Sequence, residues 1–283
     1  MVFEVIDSIS LASGEANEDR YGHCGGLMAW VIDGATDVIE TPLIGSGTDA
    51  AWFAEAVHRT ISTAALMPPE HLDDFPARIC ETVAAAFDRA ITRQPTGRHE
   101  YPSATTMIIR ANGDRVDYVA VGDCALIVQA DENTHTVGLG GAEAGDRSTA
   151  KVVVSLQEQN ATASHDEVKA LIWPKIRKRR AKINLPDGYG ALSITPPPPK
   201  FVATGSLDVT PGDHILIASD GLTRLSELYQ RYKPNELIDA AITRGLEAIV
   251  RELREIEIAD ASCKSHPRVK ATDDATGILL KII

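Results

Sequence analysis

Aspartates follow two long apolar segments of the sequence and recur in three other short clusters. The apolar run 27–32 ends at Asp33-Gly34, and the apolar run 215–219 ends at Asp220-Gly221. Continuous apolar runs are typical of strands buried on both faces, so two interior strands would each carry a carboxylate at their C-terminal end. The other clusters are Asn17-Glu18-Asp19, Asp123 and Asp273-Asp274.

A single Asp-Gly pair is most often a turn, but five acidic clusters together favour a different interpretation. Carboxylates gathered at one end of a sheet repel each other, and they either take up protons or bind cations. Donor sets made only of oxygen suit magnesium, manganese or calcium rather than zinc. The sequence has no His or Cys spacing typical of zinc and no EF-hand loop. The clusters therefore predict a site for divalent cations of the magnesium or manganese type.

The sequence offers no common alternative to metal chemistry. Its four cysteines are far apart, form no CxxC pair and start no CxxxxxR phosphate loop. Nucleotide-binding loops of the GxxxxGK[ST] and GxGxxG types are also missing. A water molecule activated between two cations about 4 Å apart needs no nucleophilic side chain, and it can attack a phosphoryl group directly.

The elements that must position these clusters alternate between groups of strands and pairs of helices. The chain has 283 residues, of which 44% are apolar, enough for a sizeable core. Strands are predicted at about 2–11, 27–32, 103–110, 115–121, 125–130, 134–139, 201–209, 214–219 and 276–283, and helices at about 48–65, 73–92, 164–183 (kinked at Pro174) and 235–256. This order favours two sheets covered by helices over regular βαβ units, with no boundary for a second domain.

Charge and hydropathy exclude several classes of partner. The net charge of −12 disfavours nucleic acid and anionic lipid as partners. The sequence has no membrane-spanning segment and no signal-peptide pattern, so we expect a cytoplasmic protein without a membrane partner. Residues 175–182 are the exception, because they concentrate positive charge. We favour a solvated helix end, whose cations complement the helix dipole, over a docking surface for an anionic substrate.

Six short segments of the sequence resemble, in order, the motifs of the metal-dependent type-2C Ser/Thr protein phosphatases, and the chain is most similar to bacterial members. They are Asn17-Glu-Asp19, Val31-Ile-Asp-Gly34, Ser103-Ala-Thr105, Val121-Gly-Asp123, Ile217-Ala-Ser-Asp-Gly221 and Asp273-Asp-Ala-Thr276. The resemblance implies one catalytic domain over 1–283 with an α+β fold. It also implies a four-layer αββα sandwich of two antiparallel sheets flanked by helices, and a variable insert at about 140–199.

The same resemblance implies a centre of two Mn²⁺ or Mg²⁺ ions. Asp33 would bridge the ions, and the carbonyl of Gly34 would bind one of them. Asp220 and Asp273 would hold the other, so that Asp33, Asp220 and Asp273 form the catalytic set. Asp274 occupies a position at which the family usually has Asn, and it competes with Asp273 for this assignment.

Three further acidic residues have roles implied by the resemblance. Glu18 and Asp19 would order metal-bound water, and Asp123 would help to hold a third, weaker ion. Two residues depart from the family pattern: Gly14 stands where many members have a phosphate-clamping Arg, and Ala35 stands where eukaryotic members have a His that is a candidate general acid.

These residues imply a phosphatase that hydrolyses phosphoserine or phosphothreonine in proteins and opposes a Ser/Thr kinase in signalling. Arg20 or Arg98 could replace the missing phosphate clamp. Because of the two departures, a catalytically weak, phosphatase-like regulatory binding module is the alternative. A hydrolase of a small phosphoester would use the same site with a different pocket.

Overall fold

The computed structural model describes residues 1–45, 47–67, 71–130, 133–139, 152–156 and 164–283. Its strands are β1 (Phe3–Leu11), β2 (Asp19–Cys24), β3 (Met28–Gly34), β4 (Ser103–Asn112), β5 (Arg115–Val121), β6 (Ala125–Ala130), β7 (Asn133–Val137), β8 (Leu192–Ser193), β9 (Val202–Asp208), β10 (His214–Ala218) and β11 (Ala275–Ile282). Its main helices are α1 (Asp49–Ala64), α2 (Phe75–Ala90), α3 (His165–Arg180), α4 (Asp220–Glu227), α5 (Pro234–Arg244) and α6 (Leu246–Ala259).

The strands form two antiparallel sheets. Sheet I has the order β1-β11-β10-β6-β7, so the first strand of the chain pairs with the last. Sheet II has the order β2-β3-β4-β5-β9, and the short strand β8 pairs with the start of β4. The two strands that end in Asp-Gly, β3 and β10, therefore lie inside different sheets.

The two sheets face each other across an apolar core. Val31 and Met107 of sheet II pack in this core with Ile217 and Ile278 of sheet I. Side chains alternate between the two faces of a strand, so Trp30, beside Val31, belongs to a second cluster outside sheet II. The predicted burial of β3 on both faces is confirmed.

Helices cover the outer face of each sheet. Phe53 of α1 and Ile79 of α2 pack on the outer face of sheet II. Leu237 of α5 and Leu253 of α6 pack with Leu216 on the outer face of sheet I. The layers are therefore helix, sheet, sheet, helix, and the predicted αββα sandwich is confirmed.

Three local predictions differ from the structure. The helix predicted over 235–256 is two helices, because Gly245 has φ +80° and Asp7 of β1 accepts a hydrogen bond from the Leu246 N–H (2.7 Å) at the start of α6. The first of these helices begins at Pro234, and Lys233 rather than Asn235 is its N-cap residue. Strand β2 and helix α4 were not predicted.

The predicted insert at 140–199 is described only in part. Residues 140–151 and 157–163 lie outside the described residues, as do 131–132 of the predicted turn at 131–133. Helix α3 begins after Ser164, which forms a capping box with Glu167, and it continues through Pro174. No helix in the described part of the chain is long and apolar enough to cross a membrane.

Candidate metal centre

The hairpin of β2 and β3 places two of the predicted carboxylates side by side. Asp19 pairs directly with Asp33 across the two strands. At the end of the hairpin, the Gly34 N–H donates to the Glu18 carbonyl (3.1 Å). A Cβ atom on Gly34 would lie only 2.5 Å from that carbonyl oxygen, so a side chain at this position would force the strands apart. The glycine after Asp33 thus allows the close approach of β2.

The end of β10 brings a third carboxylate to the same place. Ser219 follows the strand, and Asp220 is the first residue of α4. Here too the neighbouring glycine is required, because a Cβ on Gly221 would lie 1.8 Å from the Asp274 carbonyl oxygen. The segment before β11 therefore passes directly over the start of α4 and carries Asp273 with it.

The adjacent residues Asp273 and Asp274 have separate tasks. Asp274 accepts hydrogen bonds from the Ser13 N–H (2.7 Å) and from the Glu18 N–H (2.6 Å). Its carboxylate therefore fixes the loop between β1 and β2, which carries Glu18. Asp273 lines the cavity described next, so the geometry favours Asp273 over Asp274 as a ligand.

A cavity of about 580 Å³, called here the central cavity, opens where these segments meet. Four predicted site residues line it: Asp33, Asp123, Asp220 and Asp273. Glu18 and Asp19 lie behind this wall, 7% and 2% exposed. Glu18 accepts a hydrogen bond from the Thr36 hydroxyl. Oδ2 of Asp19 has no hydrogen-bond partner among the described residues.

On one side of the central cavity, the carboxylates of Asp19, Asp33 and Asp220 lie close enough to repel each other. Burial, together with the charges of Asp220 and Asp19, raises the pKa of Asp33 well above its ordinary value. Burial raises the pKa of Asp19 to about 7, and the charges of Asp273 and Asp274 add to this effect. Carboxyl groups in such surroundings either keep their proton or, when ionised, require a cation beside them. The oxygen donors of Asp33 and Asp220, supported from behind by Asp19, therefore suit the chemistry of a Mn²⁺ or Mg²⁺ ion.

On the other side, the carboxylate of Asp273 already has two cationic partners. Lys270 Nζ lies 2.7 Å from Oδ1, and Arg224 Nη2 lies 2.6 Å from Oδ2. Burial opposes ionisation, but the charges of Lys270 and Arg224 outweigh it and hold the pKa of Asp273 below its ordinary value. With both oxygens paired in this way, Asp273 does not fit a metal ion. On either side of the cavity, no three His, Cys, Asp or Glu side chains of the described residues are already arranged to hold a metal.

Helix α3 lies over the central cavity and is attached at both ends. Near its C-terminus, Arg177 donates to the Val38 carbonyl (2.7 Å), and Arg180 donates to the Ala35 and Thr36 carbonyls (3.2 Å each). At its N-terminus, Nε2 of His165 lies 2.9 Å from the Val269 carbonyl oxygen. The interpretation of this basic segment as a solvated helix end is therefore wrong for Arg177 and Arg180.

Neither of the two cations that the sequence suggested as a phosphate clamp faces the central cavity. Arg20 pairs with Glu55 (2.9 Å) and Arg98 donates to the Ile183 carbonyl (3.0 Å), and neither lines the cavity. The cations that do line it are Lys169, Lys175, Arg179, Arg180, Arg224, Arg268 and Lys270. A signal for Arg224 was present in the sequence, because it lies one helical turn after Asp220.

The nearest thiol is unsuited to nucleophilic attack. Cys124 is fully buried and its Sγ lies 3.3 Å from the Thr105 hydroxyl. Burial, and the charge of Asp33, raise the pKa of Cys124 well above its ordinary value. A thiol of this kind stays protonated at neutral pH, which leaves the carboxylates as the reactive feature of the cavity.

Comparisons with known proteins agree with this architecture. The chain is similar in structure to the serine/threonine phosphatase PstP/Ppp of Mycobacterium tuberculosis (14% identity, 100% of this chain and 99% of that chain, TM-score 0.58). A second structure, the PstP catalytic domain in complex with two manganese ions, matches with 15% identity, the same coverage and a TM-score of 0.56. The serine/threonine phosphatase of S. agalactiae matches with 14% identity, 99% and 100% coverage and a TM-score of 0.56.

At these identities the structural likeness concerns the fold. A search of curated protein sequences found no significant match. A sequence profile described as protein phosphatase 2C, however, matches residues 9–256, most of the chain. The matched region includes the β2–β3 hairpin, the Asp123 cluster and the start of α4, three of the segments that line or support the central cavity. The chain belongs to the protein phosphatase 2C family.

Proposed function

We propose that this protein is a metal-dependent phosphatase that hydrolyses phosphoserine or phosphothreonine in proteins and so reverses the action of a Ser/Thr kinase. The observation that carries this proposal is the group of carboxylates Asp19, Asp33 and Asp220, which repel each other at the base of a cavity of about 580 Å³. Membership of the protein phosphatase 2C family and the manganese ions in the similar PstP structure support the same chemistry.

The residues of the central cavity have distinct tasks in this proposal. A bound Mn²⁺ or Mg²⁺ ion would supply an activated water and stabilise the developing charge on the phosphoryl oxygens. Asp33, Asp220 and the Gly34 carbonyl would hold that ion, and Asp19 and Glu18 would fix its surroundings from behind. Asp123, at the edge of the cavity, would hold a further, weaker ion.

Helix α3 would bring the phosphorylated segment of the substrate to these carboxylates. Lys175 and Arg179 line the cavity from this helix, and the Arg179 guanidinium lies 4.9 Å from the centre of the Tyr189 ring. A positive surface next to a reactive site attracts anionic groups and orients them. The basic segment would therefore serve as a recruitment surface for a phosphate group or an acidic peptide.

Protonation of the leaving group is the step that this chain is least equipped to perform. Ala35 lines the cavity and has no side-chain proton, whereas a serine or threonine alkoxide must be protonated as it leaves. A nitrophenolate leaves without that proton. We therefore expect faster turnover of para-nitrophenyl phosphate than of a phosphothreonine peptide when both are saturating.

The test measures hydrolysis of these two substrates with and without Mn²⁺, in the wild type and in Asp33→Asn. We expect manganese-dependent hydrolysis that falls by several orders of magnitude in Asp33→Asn, because a charged ligand is lost while the shape is kept. The control is Asp208→Asn, at an exposed site on β9, which should retain the wild-type rate. Hydrolysis of para-nitrophenyl phosphate without hydrolysis of the peptide would favour a small phosphoester as substrate.

The salt bridges of Asp273 favour one alternative, a phosphatase-like binding module. Lys270 and Arg224 form salt bridges with both oxygens of Asp273, which the family resemblance assigns to a metal ion. A protein of this kind would bind a phosphorylated peptide and hydrolyse neither substrate at any manganese concentration. That outcome of the same assay would favour the binding module over the phosphatase as the function of this protein.

A further inference from the structure

We propose that Lys270 occupies the place of a second divalent ion, so that the centre holds one tightly bound metal ion together with a built-in ammonium group. The inference rests on the proposed function, because it concerns the same site. Its basis is the short contact between Lys270 Nζ and Asp273 Oδ1 (2.7 Å) at a residue that lines the central cavity beside Asp33 and Asp220.

Both oxygens of Asp273 are occupied. Lys270 pairs with Oδ1, which also accepts a hydrogen bond from the Asp274 N–H (3.1 Å), and Arg224 pairs with Oδ2 (2.6 Å). A metal ion bound by this carboxylate would have to displace one of these cations. Displacement would separate a short ion pair in a largely dehydrated place, which is costly.

The guanidinium of Arg224 is fixed from its other side. Its Nη1 lies 3.4 Å from Oε1 of Glu257, whose side chain is fully buried and also pairs with Arg254. Rotation of Arg224 away from Asp273 would leave Asp273 without one of its partners and would disturb the buried Glu257 pair. Arg224 therefore holds Asp273 in place, and Lys270, whose side chain is 32% exposed against 13% for Arg224, is the more accessible of the two cations.

The cations at Asp273 already supply positive charge to this part of the cavity. Despite burial, the carboxylates Asp273, Asp33 and Asp220 raise the pKa of Lys270, so its ammonium group stays charged at neutral pH. A second divalent ion at Asp273 would therefore lie next to a fixed positive charge, which is unfavourable.

The ammonium group can perform part of the task of a metal ion. Lysine presents a compact charge with three hydrogen-bond donors, and it is a common ligand of phosphate groups. At 2.7 Å from Asp273, Lys270 is held where it can contact a phosphoryl oxygen at the base of the central cavity. It would bind and orient the substrate phosphate, while an ion held by Asp33 and Asp220 would supply the activated water.

The test counts the bound metal. Wild-type protein, Lys270→Met and Lys270→Gln are dialysed against Mn²⁺, bound manganese is measured by elemental analysis, and the electron paramagnetic resonance spectrum shows whether the ions are isolated or coupled. The expected result is about one ion per wild-type chain with an isolated spectrum, and about two ions with a coupled spectrum in both variants. The control is Lys264→Met, an exposed residue of the same segment, which should match the wild type. Circular dichroism confirms that each variant is folded.

The outcomes separate this inference from the proposed function. Two coupled ions in the wild type would overturn the role of Lys270 and leave the metal-dependent phosphatase intact. A single ion in the wild type and in both Lys270 variants would also overturn it, because removal of Lys270 would then not allow a second ion to bind. No bound manganese in any of the proteins would overturn both proposals.

Discussion

The two sides of the central cavity use the same residue type in opposite electrostatic environments. Asp33, on a buried strand, faces Asp19 and Asp220 and has a raised pKa. Asp273, in the segment before β11, has two cationic partners and a lowered pKa. On the first side, mutual repulsion favours protonation or a bound cation, whereas the carboxylate on the second side is already paired with Lys270 and Arg224. An acidic motif therefore does not by itself define a metal ligand, because its neighbours decide whether a cation is needed.

The largest expected effects are changes in the free energy of unfolding when Asp273 or Asp33, one residue from each side of the cavity, is replaced. In metal-free protein, Asp273→Asn should lower the free energy of unfolding by about 3 kcal/mol, because Lys270 and Arg224 lose their shared partner. Asp33→Asn should raise it by about 1 kcal/mol, because a repelling charge is removed.

Urea denaturation with a chelator at pH 8 measures both values. This pH lies above the pKa of about 7 that burial gives Asp19. A group whose pKa is raised by folding loses its stabilising contribution as the pH rises through that pKa, so at pH 8 Asp19 carries the charge that repels Asp33. Changes of the same sign in the two variants would show that the two sides do not differ in the way described.

A smaller effect is expected at α3, which spans the two sides. Arg179 lines the central cavity, whereas the nearby Arg177 and Arg180 attach the helix through hydrogen bonds to backbone carbonyls. Arg179→Glu should raise the KM for an acidic phosphopeptide about tenfold, with little change for para-nitrophenyl phosphate, and added salt should reduce the difference. Steady-state kinetics at two ionic strengths measure it.

The matched control for that experiment lies one residue away. Lys178→Glu makes the same charge change on the same helix, at an exposed residue that does not line the cavity, and its KM values should stay close to those of the wild type. If the KM for the phosphopeptide increased equally in both variants, peptide binding would depend on the overall charge of the helix rather than on the position of Arg179.

The smallest effect is expected at Asp123, at the edge of the cavity. Asp123→Ala should lower turnover severalfold and leave the tightly bound ion in place, because a solvated ion with few protein ligands binds weakly. Dialysis against Mn²⁺ followed by elemental analysis checks this. Loss of the tightly bound ion in Asp123→Ala would mean that Asp123 helps Asp33 to bind that ion rather than a weaker one.

The acidic residues of the cavity could be predicted because local sequence determines where they lie. Asp33 and Asp220 each end a continuous apolar run, and a buried strand that ends in Asp-Gly must present its carboxylate near the sheet edge. Strand β2 was missed because it is short and only partly apolar, although Gly25 and Gly26, both with positive φ, supply the turn that pairs Asp19 with Asp33.

The cations of the cavity could not be predicted in the same way. Lys270 lies in a segment without periodicity, and its contact with Asp273 depends on the path of the chain before β11. Arg177 and Arg180 were assigned to a solvated helix end because their partners are backbone carbonyls of residues 35–38, about 140 positions earlier in the chain. The break at Gly245 had a visible signal, since a glycine within an amphipathic pattern often ends a helix.

The pairing of β1 with β11 has a consequence for the order in which the protein folds. Glu18 and Asp274, which hold the two acidic segments together, are 256 residues apart in sequence, and sheet I is incomplete until β11 is added beside β1 and β10. Contacts of such long range form slowly and late. The hydrogen bond from the Glu18 N–H to Asp274, which joins the two acidic segments, is therefore expected to form late in folding, after β11 has joined β1 and β10.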